Sequence, residues 1–204
     1  MVDPVNPAAV RTGLRICIVA AVVAAIVLVE TTTRSGVVWR LITFTYQANL
    51  LAAAFYVWTL VSRRADARAG LRGAVVVYVL VAGVIWNLFL TEASMGYTPA
   101  NLLLHVLVPL LAVAEWLLVG DAQGSIRWWQ PLIWLLYPAA YVGLALLVLS
   151  SAGRRVPYYF LDPDAVGNLG VLANVGLLGL VFVGFGYALM AHGRSAARAR
   201  VELG

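Results

Sequence analysis

Residues 37–51 read VVWRLITFTYQANLL, and this stretch places a cluster of hydrogen-bonding side chains at the start of a long apolar run. The cluster consists of Thr43, Thr45, Tyr46, Gln47 and Asn49. Polar side chains are costly in lipid and usually face a bundle interior or a cavity. What these side chains face therefore depends on how the rest of the chain is arranged around them.

The composition favours an integral membrane protein. Hydrophobic residues make up 63% of the 204 residues and charged residues 11%, whereas soluble domains are nearer half apolar and a quarter charged. Every basic residue is Arg, and with the abundant Ala, Val, Gly and Leu this is typical of a high-GC genome. We therefore expect a multi-pass protein of a bacterial inner membrane.

Six apolar runs are long enough to be membrane spans, since roughly 20 helical residues cross about 30 Å of hydrocarbon. They cover residues 14–29, 39–61, 73–90, 100–119, 128–149 and 168–191. The sequence thus predicts an all-α integral membrane protein whose residues 1–204 form a single domain of six transmembrane helices.

The Arg residues divide unevenly between the two sides of these spans. Ten fall in the N-terminal tail, the loops after spans two and four, and the C-terminal tail. Four fall on the other side, namely Arg34, Arg40, Arg154 and Arg155. Because cytoplasmic loops carry the excess of Arg, we expect both termini in the cytoplasm. The Arg-rich loop 62–72 then sets topology, and no nucleic-acid partner is expected.

Most polar side chains in the predicted spans lie toward the outer side. Thr43, Thr45 and Asn49 fall in the outer half of span two, and His105 lies roughly five residues, or about 7–8 Å, into span four. Others in this layer are Glu30, Asn87, Glu92, Asn168 and Asn174, with Asp162 just above it. The inner half has much less, chiefly Glu115. This one-sided layer suggests a pocket near the outer face.

Two local features refine the expected pocket. Pro109 has no amide hydrogen, so the carbonyl of His105 loses its helical donor and span four should kink there. Thr45 and Asn49 are four residues apart and share a helix face. Thr43 lies roughly 200° around the helix from Thr45, so the two threonines cannot face one pocket equally.

Three short motifs, in order, resemble the androgen-induced family of six-span membrane proteins. They are WRLITF, LLHVLVPLLAVAEWLL and VPYYFLD, and the likeness covers the whole chain in span number and motif order. The chain looks like a bacterial branch, although Tyr159 stands where the animal proteins have proline. The spacing from His105 to Pro109 is also one residue shorter.

Animal members of that family are threonine hydrolases that cleave fatty acid esters of hydroxy fatty acids with an intramembrane Thr and His. The resemblance implies that His105 is the catalytic histidine. The nucleophile is Thr43 if the register is counted from Trp39, and Thr45 if it follows the pattern FT-x-Q-x-N. Both assignments remain open from the sequence. The expected partners are a lipid or fatty acyl ester and the bilayer itself.

The expected chemistry needs no metal and no cofactor. A neutral imidazole would take the proton of the threonine hydroxyl, and Asp162 or Glu92 would orient the ring. The side-chain amides of Gln47, Asn49 or Asn87 would stabilise an oxyanion. The alternative is a non-catalytic lipid-binding or small-solute transport protein. A transport path would require polar residues through both halves of the bundle, which the sequence does not favour.

Overall fold

The computed structural model describes residues 6–32, 40–92, 96–119, 123–149 and 156–202, and all regular structure in these ranges is helical. Three of the six main helices are α1 (Pro7–Thr32), α2 (Phe44–Val61) and α3 (Ala69–Ile85), and a π-helical turn, Trp86–Leu90, continues α3. Helix α4 consists of Pro99–Leu102, a π-helical turn Leu103–Leu107 and Val108–Val119, and α5 consists of Gln130–Ile133, Leu136–Gly143 and Leu144–Leu149. Helix α6 covers Pro163–Glu202 and is kinked at Gly167, whose φ of 72° is not helical. Shorter turns cover Arg63–Asp66, Gln123–Ser125 and Tyr159–Leu161.

Five of these helices are long and apolar enough to cross a membrane: α1, α3, α4, α5 and α6. Helix α2 has 18 residues, and the polar side chains of Thr45, Gln47 and Asn49 occupy its first two turns. The expected all-α class is confirmed for the described residues, and the apolar helices are compatible with a multi-pass integral membrane protein. A sixth span remains a prediction.

The first two helices differ in extent from the predicted spans. Helix α1 begins at Pro7, so Arg11 and Arg15 lie within the helix rather than in a tail. Helix α2 begins at Phe44, where a span from residue 39 was expected. Trp39, Arg34, Arg154 and Arg155 lie outside the described residues.

Helix α5 is broken at Trp134 and Leu135 rather than continuous. Pro138 has no amide hydrogen, so the carbonyl of Trp134, four residues earlier, lacks its helical donor. The hydroxyl of Tyr78 on α3 donates to that carbonyl at 2.8 Å. The break is therefore compensated by a side chain from a neighbouring helix.

Helix α3 lies at the centre of the bundle. It packs against α2, α4 and α6, while α1 packs against α2 and α4. In the most apolar window of α3, 67% of the residues are buried, compared with 17% in α6. Helix α2 also contacts the π-helical turn of α4. This contact brings the polar start of α2 to the helix that contains His105.

Candidate active site

Thr45 and His105 meet across the contact between α2 and α4. The Thr45 Oγ1 and the His105 Nε2 are 3.3 Å apart, although the residues are sixty positions apart in the chain. Both side chains are buried, with 8% and 7% of their surfaces exposed. Of the two candidate threonines, the structure places only Thr45 within hydrogen-bonding distance of the imidazole.

Thr43 has a different position and a different partner. It is the residue before the first turn of α2, and its hydroxyl donates to the carbonyl of Arg40 at 2.9 Å. The physical reason is the start of the helix at Phe44: Thr43 belongs to the preceding turn, whereas Thr45 projects from α2 toward α4.

The hydrogen bond at the other ring nitrogen of His105 determines its tautomer. The Nδ1 atom lies 3.1 Å from the carbonyl oxygen of Asn101. A carbonyl can only accept, so Nδ1 carries the hydrogen and a neutral ring leaves Nε2 as an acceptor for the Thr45 hydroxyl. The geometry is that of a base directed at a hydroxyl group.

The expected orienting carboxylates are placed elsewhere. An oxygen of Asp162 accepts a hydrogen bond from the amide of Asp164 at 3.0 Å, which closes a turn before α6. Glu92 is exposed beyond the end of α3. The backbone carbonyl of Asn101 orients the imidazole instead, because it lies one helical turn before His105 on the same face.

Trp86 covers one face of the His105 ring. The ring centroids are 4.6 Å apart and the planes differ by 17°, so the rings are stacked. Tyr97 in turn packs edge-on against Trp86 at 5.1 Å. The sequence did not identify Trp86 as a site residue. The feature that could have indicated it is its position directly before Asn87, which belongs to the predicted outer layer of polar side chains.

Two asparagines bind carbonyls of the π-helical turn that contains His105. The side-chain amide of Asn87 donates to the carbonyl of His105 at 3.2 Å, and that of Asn49 donates to the carbonyl of Leu104 at 3.4 Å. Pro109 supplies no amide hydrogen to the turn before it. The asparagines therefore satisfy carbonyls and hold the turn between α2 and α3.

These contacts correct the expected role of the side-chain amides. The amides of Asn49 and Asn87 also donate within their own helices, to Thr45 at 2.9 Å and to Gly83 at 2.8 Å. Gln47 donates to the carbonyl of Leu41 at 2.8 Å. Both N–H groups of Asn49 and of Asn87 thus bind carbonyls, which favours a positioning role for these two residues. The oxyanion role expected of Gln47 stays a prediction.

Gly83 permits the close approach of α3 to the histidine turn. A Cβ atom at this position would lie 2.7 Å from the carbonyl oxygen of His105 and 2.9 Å from the Cγ of Pro109. Both distances are shorter than real Cβ contacts, so only glycine fits here without a shift. Gly83 and Asn87 are four residues apart and form one contact surface for the turn.

Thr45 lines a partly open apolar cavity of about 250 Å³ between α2, α3, α5, α6 and the segment 158–161. Of the 18 described residues in its wall, three carry a hydroxyl, namely Thr45, Tyr141 and Tyr158. His105 does not line the cavity. Thr45 therefore belongs to the cavity wall and also contacts the imidazole, which is outside that wall.

The phenol of Tyr158, which lines this cavity, contacts the backbone of Thr45. Its phenol oxygen accepts a hydrogen bond from the amide of Thr45 at 3.4 Å, in the first turn of α2. Burial raises the pKa of Tyr158, although hydrogen bonds to Thr45 and Phe44 offset part of the effect. The phenol is thus protonated at neutral pH and can donate a hydrogen bond to a bound group.

The opposite end of the bundle contains a buried ionic network. Glu115 is fully buried, and its Oε1 accepts hydrogen bonds from the Nε and Nη2 of Arg15 at 2.9 and 2.8 Å. Asp66 lies 2.5 Å from Arg15 and 2.6 Å from Arg72. The expectation that this half has few polar groups is wrong, because arginines assigned to a tail and a loop pack inside the bundle.

The network also affects the titration of Asp66, which lies between α2 and α3. Burial alone would raise its pKa. The hydrogen bond from Arg15 and the charges of Arg15, Arg72 and Arg11 outweigh that effect and hold the pKa of Asp66 below its usual range. Asp66 is therefore ionised and bound to arginine at neutral pH.

Comparison of the chain with protein-family models, with curated proteins and with solved structures gives no match.

Proposed function

We propose that this chain is an intramembrane threonine hydrolase that cleaves fatty acyl esters, with Thr45 as nucleophile and His105 as base. The observation that carries the proposal is the 3.3 Å contact between the Thr45 hydroxyl and the His105 Nε2 at the wall of an apolar cavity. A threonine hydroxyl becomes a competent nucleophile when a base within hydrogen-bond reach takes its proton. The resemblance to the androgen-induced family extends the proposal to fatty acid esters of hydroxy fatty acids.

The first half of the reaction follows from this geometry. His105 Nε2 takes the hydroxyl proton of Thr45 while Oγ1 bonds to the ester carbonyl carbon, and the carbonyl oxygen becomes an oxyanion. When the intermediate collapses, the bond from carbon to the alcohol oxygen breaks, and the alcohol leaves with the proton from Nε2. The product is an acyl ester of Thr45.

The second half releases the fatty acid. Water attacks the acyl carbonyl while His105 takes its proton, and the bond to Oγ1 breaks as that proton returns to Thr45. Trp86 presents its ring face to the imidazolium that forms in each half, which favours the cationic form. The Tyr158 phenol is the donor for the oxyanion, because it adjoins the Thr45 amide at the cavity wall.

A matched set of variants tests the proposal in detergent micelles with a long-chain p-nitrophenyl ester and a fatty acid ester of a hydroxy fatty acid. Thr45→Ala and His105→Ala should each reduce kcat by about 10³-fold or more, and the double variant no further, since the two groups act as one unit. Thr45→Ser should retain part of the activity.

Thr43→Ala is the control, because its hydroxyl bonds only locally and its loss should leave kcat unchanged. A fluorophosphonate probe should label the wild type and Thr45→Ser but not Thr45→Ala. Full ester cleavage by Thr45→Ala or by His105→Ala would refute the mechanism. The non-catalytic lipid-binding protein would then be the better description of the cavity.

The proposal includes six spans with both termini in the cytoplasm, α2 being the sixth. This orientation places the Arg-rich loop inside and the cavity toward the outer leaflet, as the distribution of Arg residues favours. Membrane-impermeant maleimide should label Asp164→Cys in intact cells and Arg68→Cys only after permeabilisation. Labelling of Arg68→Cys from outside would reverse the orientation.

A further inference from the structure

We infer that the cavity beside Thr45 holds the single acyl chain of the ester, and that Gly179 and Phe182 on α6 determine how long a chain it accepts. This inference rests on the proposed function for the position of the ester group. It concerns the wall of the cavity, which is formed mainly by residues remote from the imidazole.

The polar groups of the cavity wall fit an ester or carboxyl group. Tyr141 is 6% exposed and lines the cavity, where its hydroxyl lies beside the Tyr158 phenol and the Phe44 backbone. The Tyr158 phenol also contacts Thr45, so three hydroxyl-bearing side chains lie close together on an otherwise apolar wall and can bind an ester or carboxyl group. Thr45 and Tyr158 carry the other two hydroxyls of the wall.

The remaining wall fits a hydrocarbon chain. Fifteen of the 18 lining residues lack a hydroxyl, and they are apolar side chains or glycine. None of the described residues of the wall carries a charged group or a side-chain amide, so a sugar or a charged headgroup would lose its hydrogen bonds on entering. A chain with oxygen at one end is the ligand that this combination of hydroxyls and apolar side chains accepts.

Helix α6 contributes one face of its helix to the cavity, at positions 175, 178, 179 and 182. The first and the last of these positions are seven apart in the chain, which corresponds to about 10 Å along the helix axis. Gly179 is the position without a side chain on this face. A Cβ at Gly179 would meet no atom within 4 Å, so a side chain can begin there without a clash and would reduce the cavity space beside it.

Phe182 lies on the same face and limits the cavity with its ring. It packs edge-on against Phe44 at 5.9 Å and against Tyr78 at 6.2 Å, and Tyr78 is not part of the cavity wall. A smaller side chain at position 182 would therefore extend the cavity toward Tyr78. Substitutions at 179 and 182 should have opposite effects on chain length.

The test measures binding, so that it is independent of turnover. Saturated fatty acids of increasing length displace a fluorescent polyene fatty acid from the protein in lipid nanodiscs. Gly179→Leu should shift the preferred length to shorter acids, with an affinity loss of about fourfold for each methylene that no longer fits. Phe182→Leu should shift it to longer acids.

Gly176→Leu is the matched control, because Gly176 is exposed on α6, has no atom within 4 Å of its Cβ position and does not line the cavity. Its length preference should equal that of the wild type. The inference would be overturned if the protein bound no fatty acid. It would also be overturned if Gly179→Leu and Phe182→Leu both left the preferred chain length unchanged. A shifted preference together with ester cleavage that survives Thr45→Ala would refute the proposed function alone.

Discussion

Replacing Gly83 by alanine should displace the helical turn that contains His105. The new Cβ would lie 2.7 Å from the His105 carbonyl oxygen, whereas ordinary contacts begin at 3.4 Å. The turn or α3 must therefore move by about 0.7 Å, the difference of these two distances. The obstructing atoms are backbone oxygen and a proline ring, so rotation of a flexible side chain cannot relieve the contact.

The shift acts on the imidazole, because the displaced carbonyl belongs to His105 itself. A displacement of about 1 Å at a reacting group can cost on the order of 10²-fold, so Gly83→Ala should reduce kcat/KM by roughly 10- to 100-fold. Overpacking should also lower the free energy of unfolding by about 1–3 kcal/mol. Ester cleavage and thermal unfolding in the same detergent measure the two effects.

Gly184→Ala is the control for glycine replacement in a helix. A Cβ there would meet no atom within 4 Å, so activity should be unchanged, and stability should rise by about 0.5–1 kcal/mol because alanine favours the helix. If Gly83→Ala had wild-type kcat/KM and unfolding temperature, the packing of α3 on the histidine turn would not control catalysis, and the positioning argument would fail.

Three further predictions concern other parts of the bundle. Glu115→Gln should lower the free energy of unfolding by about 1.5–3 kcal/mol, because it removes one of the two carboxylates that bind the buried Arg15. Glu92→Gln at an exposed position should change it by less than about 0.5 kcal/mol. The pKa of Asp66 is lowered in the folded protein. Its contribution to stability should therefore be fully present above the unfolded pKa of about 3.9 and be lost as the pH falls through the lower folded value. Thermal unfolding at decreasing pH measures this contribution, which should be absent in Asp66→Asn. Tyr158→Phe should reduce kcat by about 10²- to 10³-fold with little change in fatty acid binding, as expected for the loss of one oxyanion donor; an unchanged kcat would exclude that role.

The sequence alone determined the helical class and the approximate positions of its apolar helices. An unpaired backbone group in hydrocarbon is costly, and a long apolar run satisfies its hydrogen bonds within its own segment when it forms a helix. Pro109 likewise indicated from the sequence that the carbonyl of His105 needs another donor. The presence of Thr45 and His105 at a similar depth followed from counting residues along two helices.

The tertiary structure decided which groups meet and which partner each one has. The rotation of a helix that is apolar on nearly all sides is poorly encoded in its sequence, so the choice of Thr45 over Thr43 required the packing of α2 on α4. The sequence suggested the amides of Asn49 and Asn87 as oxyanion donors, and the structure pairs them with carbonyls near Pro109. Which donor reaches a free carbonyl depends on contacts between helices far apart in the chain.

The buried arginines show the same limit at the other end of the bundle. By position, Arg15 resembles a topogenic residue of a tail, yet it forms two hydrogen bonds with Glu115 inside the bundle. A charge near the end of an apolar run can face water or a buried partner, and hydropathy is the same in both cases. Only the arrangement of α1 beside α4 places an opposite charge within reach, and that arrangement is a property of the folded chain.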